Sequence, residues 1–304
     1  MKALAKFIMR GHIQATLSVI VSTLLSFILP PLSILSGASV GLFTLRQGEL
    51  PGLLVIIASS LLFGLAAMTS SIGTALLPNL LPLFVVLIVV WILAIILRRL
   101  QSLPITISVA CLFGLIYVIG FHLSVDDIEN WWQIRLAQFF APAIAQVGEK
   151  DQQAIYQFIN IYAPQITGLL AATMVFYSLL CLFVARWWQA LLYNPQGFQK
   201  EFHNLRFGNY VAIFTLILVA MNFIPAVGIS SLSRDGLTVV LFTVYLLQGL
   251  AIGHFIIANK KLNSAWIVAL YFVSIFSYPL IAVLGFIDTW FDFRKRFSST
   301  NHTT

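Results

Sequence analysis

Long stretches of this chain contain no charged residue at all. None occurs from Leu80 to Leu97, from Leu103 to Leu123, from Ile166 to Ala185, from Leu237 to Ala258 or from Ala265 to Phe286. About 20 apolar residues are what a helix needs to cross the ~30 Å hydrocarbon layer of a bilayer. In lipid every backbone N–H and C=O must be satisfied inside the structure, which selects helices for such stretches. Their repetition predicts an all-α polytopic membrane protein. Composition argues against the alternatives: 60% of residues are apolar and 9% charged, against about 25% charged in soluble domains. A disordered chain would need low hydrophobicity and high charge.

Read along the chain, Lys2, Lys6 and Arg10 precede a first apolar run, Ile13 to Leu29. A signal peptide would look similar, with Ser36-Gly37-Ala38 mimicking a cleavage site; the many runs that follow favour an uncleaved helix. Pro30-Pro31 breaks it, since proline lacks the N–H and clashes with the preceding turn. Leu32 to Leu45 is then a short span or a re-entrant segment. Further runs are Leu50–Met68, Leu80–Leu97, Leu103–Leu123, Ile166–Ala185, Tyr210–Val227, Leu237–Ala258 and Ala265–Phe286. The expectation is one integral membrane domain over residues 1–304, a bundle of eight or nine transmembrane or re-entrant helices.

Residues 124–165 differ. Asp126, Asp127, Glu129, Glu149 and Asp151 face only Arg135 and Lys150, a net −3 within a chain of net +7. Ile128, Trp131, Trp132, Leu136, Phe139, Phe140 and Ile144 recur at helical spacing. A second short helix would present Ile155, Phe158, Ile159 and Tyr162. Tryptophans on such a face suit the headgroup boundary; packing on the chain's own bundle suits them equally.

Basic residues sit at the ends of apolar runs, where cytoplasmic loops concentrate Lys and Arg. That placement points to anionic lipid headgroups of an inner (cytoplasmic) membrane, with no nucleic acid expected. With the N-terminus cytoplasmic, Arg46, Arg98-Arg99, the 194–209 loop and Lys260-Lys261 fall inside and the acidic loop outside. The last run would then carry Arg294-Lys295-Arg296 outside, against the rule. Either Lys260-Lys261 lies outside, or the final segment bends at Pro279 and returns.

Catalytic motifs are scarce in the sequence. It holds no G-x-x-x-x-G-K-[ST], no H-E-x-x-H and no C-x-x-C; Gly37-Ala38-Ser39-Val40-Gly41 has the G-x-S-x-G spacing but lies within an apolar run, without the strand-to-helix turn that makes the motif a nucleophile elbow. No carboxylate lies in the centre of a run, which removes the commonest proton-relay signature. Cys111 and Cys181 read as packing residues. The expectation is a non-enzyme without metal or cofactor. Asn222, Gln248, His254 and Asp288 are the polar residues within or ending the apolar runs. They form a polar ligand pocket or, alternatively, interhelical hydrogen bonds worth around 0.6 kcal/mol each. Gln248 and His254 lie roughly 120° apart around one helix and cannot converge from one stripe. Small residues recur every four: Ser18, Ser22 and Ser26, Gly37 and Gly41, Gly249 and Gly253. Such stripes let backbones approach, within the bundle or against a partner.

Three segments carry a family likeness. Gly249-Leu250-Ala251-Ile252-Gly253-His254-Phe255 followed by Lys260-Lys261, Gly285 to Arg294, and Phe202…Leu205-Arg206-Phe207 resemble the YybS-like (DUF2232) bacterial membrane proteins. That family is distantly similar to the S components of energy-coupling-factor transporters. The resemblance implies a bundle that binds a small-molecule ligand and borrows energy from a membrane coupling protein and a separate ATPase. It implies docking of that partner on Ser18, Ser22 and Ser26, with Phe202 and Arg206 of the 194–209 loop as a second surface. The alternatives are a cell-envelope scaffold without transport activity and a lipid-handling protein.

Overall fold

Pro30 and Pro31 form a short 3-10 turn that reverses the chain between α2 (His12–Ser26) and α3 (Ser33–Gln47). The two helices lie side by side. Ser18 Oγ is 2.9 Å from Ser39 Oγ, Thr23 Oγ1 is 3.1 Å from Ser36 Oγ, and the His12 ring packs on Phe43. The computed structural model describes residues 1–68, 71–221 and 236–299, and among them it is helical with no strand. The other helices are α1 (Lys2–Ile8), α4 (Glu49–Met68), α5 (Ser71–Leu100), α6 (Leu103–Ser124), α7 (Ile128–Ile144), α8 (Glu149–Tyr162), α9 (Ile166–Tyr193), α10 (Gly197–His203), α11 (Asn209–Met221), α12 (Thr238–Asn259), α13 (Ala265–Phe276), α14 (Tyr278–Phe291) and α15 (Phe293–Ser299).

The core has two centres. In the first, α3 is enclosed by α2, α4, α5 and α9, and every residue from Ser36 to Leu45 is buried. Small residues permit this. A Cβ on Gly37 would stand 2.6 Å from Cys181 Sγ, and one on Gly41 2.9 Å from Ala185 Cβ. In the second, α12 crosses α14 at Gly249 and Gly285. A Cβ on Gly285 would collide with the Tyr245 carbonyl oxygen, and one on Gly249 with that of Ile281. Gly253 instead faces Leu270 of α13. Helices α6 and α9 touch α12 and so join the two centres.

Among the described residues five helices, α4, α5, α6, α9 and α12, are long and apolar enough to cross a membrane, or six if the bent pair α13–α14 counts as one span. That is fewer than the expected eight or nine segments: α2 and α3 with 15 residues and α11 with 13 are shorter. At about 1.5 Å per residue they reach roughly 20–23 Å. The expected run to Val227 is described only as far as Met221, and Asn222 lies outside the described residues.

The last apolar run is broken. The axis turns through 106° between α13 and α14. The helix breaks at Ser277, φ −134° and ψ +40°, and Pro279, in the first turn of α14, has no N–H to continue the hydrogen-bond ladder of α13. The pair starts and finishes at one end of the bundle: Asn259 Nδ2 donates to the Phe297 carbonyl at 3.3 Å, and Lys260 Nζ lies 5.6 Å from the centre of the Phe297 ring. That end also gathers Arg46 over the Tyr193 ring, Arg98 on the Thr44 carbonyl, Arg99 with Glu49, and Arg186 with Glu201.

At the opposite end, α7 starts where the Asp127 carboxylate accepts the Asn130 N–H at 3.0 Å. Trp131 and Trp132 pack on Phe121 of α6, and Trp132 Nε1 donates to Thr167 Oγ1 at 2.7 Å. The tryptophan part of the expected apolar face is thus turned to the chain's own bundle. The distal part is mixed: Phe139 is 76% exposed and Phe158 and Tyr162 are also exposed, Leu136, Phe140 and Ile144 are half-buried, and Ile159 is buried; beside these faces Ile134 and Ile161 are exposed too.

Candidate functional site

Residues 205–208, between α10 and α11, are not helical, so their backbone groups need partners from elsewhere. Two side chains supply partners to this segment and to His203 before it. Arg294 donates from Nε to the His203 carbonyl at 2.6 Å and from Nη2 to the Leu205 carbonyl at 2.7 Å. Gln248 Oε1 accepts the Phe207 N–H at 3.0 Å. Gln248 Nε2 donates in turn to Asp288 Oδ2 at 3.1 Å, and Arg294 Nη1 reaches the same oxygen at 2.5 Å. Asp288 Oδ1 accepts the Phe293 N–H. Gln248 and Asp288 are fully buried and Arg294 nearly so. A buried charge needs a paired, hydrogen-bonded partner, and this pair has one.

A second layer lies outward. Arg206 donates to Asp292 Oδ2 and to the Thr289 carbonyl, both at 2.7 Å. Asp292 closes α14 in the left-handed conformation, φ +45°, which aims the chain back toward the loop. Burial works against its charge, but Arg206 and Lys295 outweigh that and hold its carboxyl below the usual carboxylate range. The network ties the 203–208 loop, α12, α14 and α15 into one knot.

Gln248 and Asp288, expected in a ligand pocket, are thus engaged with each other, with Arg294 and with the Phe207 backbone. His254 is not among them. Its Nε2 lies 3.1 Å from the Tyr271 hydroxyl, and its ring packs on Phe202 and near His203. Burial, with His254 and Arg294 adding to it, pushes the His203 pKa below the ordinary histidine value. The residues expected to dock a partner are also turned inward. Ser18 and Ser22 are buried, Ser18 against Ser39; Ser26, half-buried, bonds the Thr23 carbonyl. Phe202 packs among Phe183, Phe198 and His254, and Arg206 is spent on the knot.

An apolar open space lies beside these elements. A cleft of about 360 Å³ lies between α11, α12 and α14, lined by Thr215, Phe242, Tyr245, Ala282, Phe286 and Ile287 among others. The Thr215 hydroxyl bonds the Val211 carbonyl at 2.8 Å and lies 3.3 Å from the Tyr245 hydroxyl. Tyr245 is held edge-on between Phe207 and Phe286. The cleft and the knot share α14: Ile287 lines one and Asp288 belongs to the other. Reasoning from sequence missed this cleft, because its walls are ordinary apolar residues. Among the described residues no cluster of three or more His, Cys, Asp or Glu could hold a metal ion. Neither protein-family models, curated proteins nor solved structures match the chain.

Proposed function

We propose that this chain is a multi-pass membrane protein that binds an apolar small molecule in the cleft between α11, α12 and α14. The carrying observation is the cleft itself: about 360 Å³ with no charged residue in its wall. Sites of that size, mostly apolar with one or two polar groups to orient the guest, are the common form of small-molecule pockets. The exposed Leu, Ile and Phe of the outer helix faces support immersion in lipid, since soluble proteins rarely expose large apolar patches.

In this reading the basic end faces the cytoplasm and the acidic 124–165 segment lies outside. Helices α2, α3, α4, α5, α6, α9, α11 and α12 make eight passes, and α13–α14 is a ninth, re-entrant segment. Both termini are cytoplasmic, and the charge rule holds at Lys260-Lys261 and at Arg294-Lys295-Arg296 together. The sequence has no P-loop motif, and in this reading a coupling protein with a separate ATPase would power transport. A cell-envelope scaffold is the second reading, favoured by the exposed Phe139, Ile134, Phe158 and Ile161 of α7–α8.

Native mass spectrometry of the protein gently extracted from its own membrane tests both. An apolar small-molecule adduct, lost in the variant Leu216→Trp at the exposed rim of the cleft, is the expected result. A stoichiometric protein partner without adduct would favour the scaffold. An adduct spectrum unchanged by Leu216→Trp would overturn the binding assignment.

A further inference from the structure

Ser178 differs from most helical hydroxyls among the described residues; the Thr289 hydroxyl on α14 is likewise buried and without a partner. Ser39, Thr44, Thr106, Ser108 and Thr243 each turn back to the carbonyl four residues earlier, at 2.7–3.0 Å. That is how a helix in an apolar setting satisfies an O–H. Ser178, on α9, is fully buried and its Oγ has no partner. A buried hydroxyl left unpaired is costly and calls for an explanation.

The residue lies in the wall of a second cavity, about 160 Å³, between α5, α6 and α9. This space shares no lining residue with the α11–α12–α14 cleft. Its depth is formed by Ala110, Ala171 and Val175, all buried, and its rim by Val85 and Tyr117, 40% and 38% exposed. The exposed rim residues stand on the lipid-length helices α5 and α6, so entry is from the apolar flank of the bundle.

Size and chemistry restrict the occupant. An apolar cavity of about 150 Å³ stays dry and accepts a benzene-sized guest, whereas a water molecule needs two to four polar partners. The buried part of this wall offers one, the Ser178 hydroxyl. We propose that this cavity binds a compact, uncharged, lipid-soluble molecule of benzene to phenol size, held by apolar contact and one hydrogen bond to Ser178 Oγ. The site is separate from the cleft on which the proposed function rests.

Fluorine NMR of the full chain in phospholipid nanodiscs tests it with 4-fluorophenol and 4-fluorotoluene, which match in shape and differ in the hydroxyl. The wild type should show saturable binding of 4-fluorophenol, with 4-fluorotoluene roughly fivefold weaker, the worth of one neutral hydrogen bond. Ser178→Ala should bring the two probes to equal affinity. Ala171→Leu, whose added carbons occupy the cavity, should abolish saturable binding of both, leaving only partitioning into the bilayer. Leu216→Trp, in the other cleft, should leave both affinities unchanged. Equal affinities in the wild type, no saturable component, or a preference that survives Ser178→Ala overturns the proposal. Should Ala171→Leu fail to fold, Ser178→Ala, which removes a single oxygen, decides it.

Discussion

Asp288 and Arg294 form a buried ion pair across the break between α14 and α15, Oδ2 to Nη1 2.5 Å, with Asp288 fully enclosed. Removing one partner of such a pair strands the other charge, which costs about 3–5 kcal/mol, while replacing both by apolar groups is often neutral. Asp288→Ala and Arg294→Ala should each destabilise the protein by that order. The coupling of the pair, read from a double-mutant cycle of denaturant unfolding in detergent, should exceed that of the exposed pair Arg99–Glu49.

Glycine substitutions should separate sharply by position. On Gly285 a Cβ meets two backbone atoms, the Tyr245 carbonyl oxygen and the Gly249 nitrogen, and a backbone cannot rotate aside as a side chain can. Gly285→Ala should therefore push α14 off α12 and lower both expression and melting temperature. Gly120 has nothing within 4 Å, so Gly120→Ala should be neutral or add up to about 1 kcal/mol through helix propensity.

Acidification should weaken the knot in two stages. His203 has a folded pKa below its unfolded value of about 6.5, so the unfolded state binds more protons in that window. Stability is then full above about pH 6.5 and falls as the pH drops below it. Asp292 is likewise depressed, so its contribution is present above the unfolded carboxylate value of about 3.9 and lost at lower pH. Thermal melts across pH should show His203→Gln flattening the upper stage and Asp292→Asn the lower one.

The bent α13–α14 pair makes a topological prediction. Cysteines introduced one at a time as Lys150→Cys, Lys260→Cys and Arg296→Cys should label from opposite faces of sealed vesicles. Lys260 and Arg296 should report the same face and Lys150 the other. Labelling of the Lys260 and Arg296 positions from different faces would require α13–α14 to cross.

Much of the helical layout is visible in the residues themselves. Uncharged runs mark α4, α6, α9 and α12, and Pro30-Pro31 marks the reversal between α2 and α3. The final run is ambiguous in sequence, since a proline permits a bend without dictating its angle; the 106° turn and the contacts of Asn259 and Lys260 with Phe297 depend on residues distant in sequence. Gln248 and Asp288 stand out because polar groups are rare in apolar runs. Their partner Arg294 does not, for it follows Asp288 by six residues, off any single helix face, and meets it only because the chain turns at Asp292. The two cavities are hidden for another reason: each arises from how three helices are placed, and alanines, valines and phenylalanines lining a void spell the same pattern as those filling a core.

In a bilayer, the α13–α14 hairpin would impose an order on biogenesis. Insertion machinery meets Ala265–Phe286 as one apolar segment, whereas the folded chain turns through 106° halfway along it, a reversal in the re-entrant reading. Reversal becomes favourable once α12 is in place to receive Gly285 and Arg294 has emerged to find Asp288. The closing stage of assembly would therefore wait for the C-terminus, and a ribosome stalled before residue 294 would hold a chain still lacking its own latch.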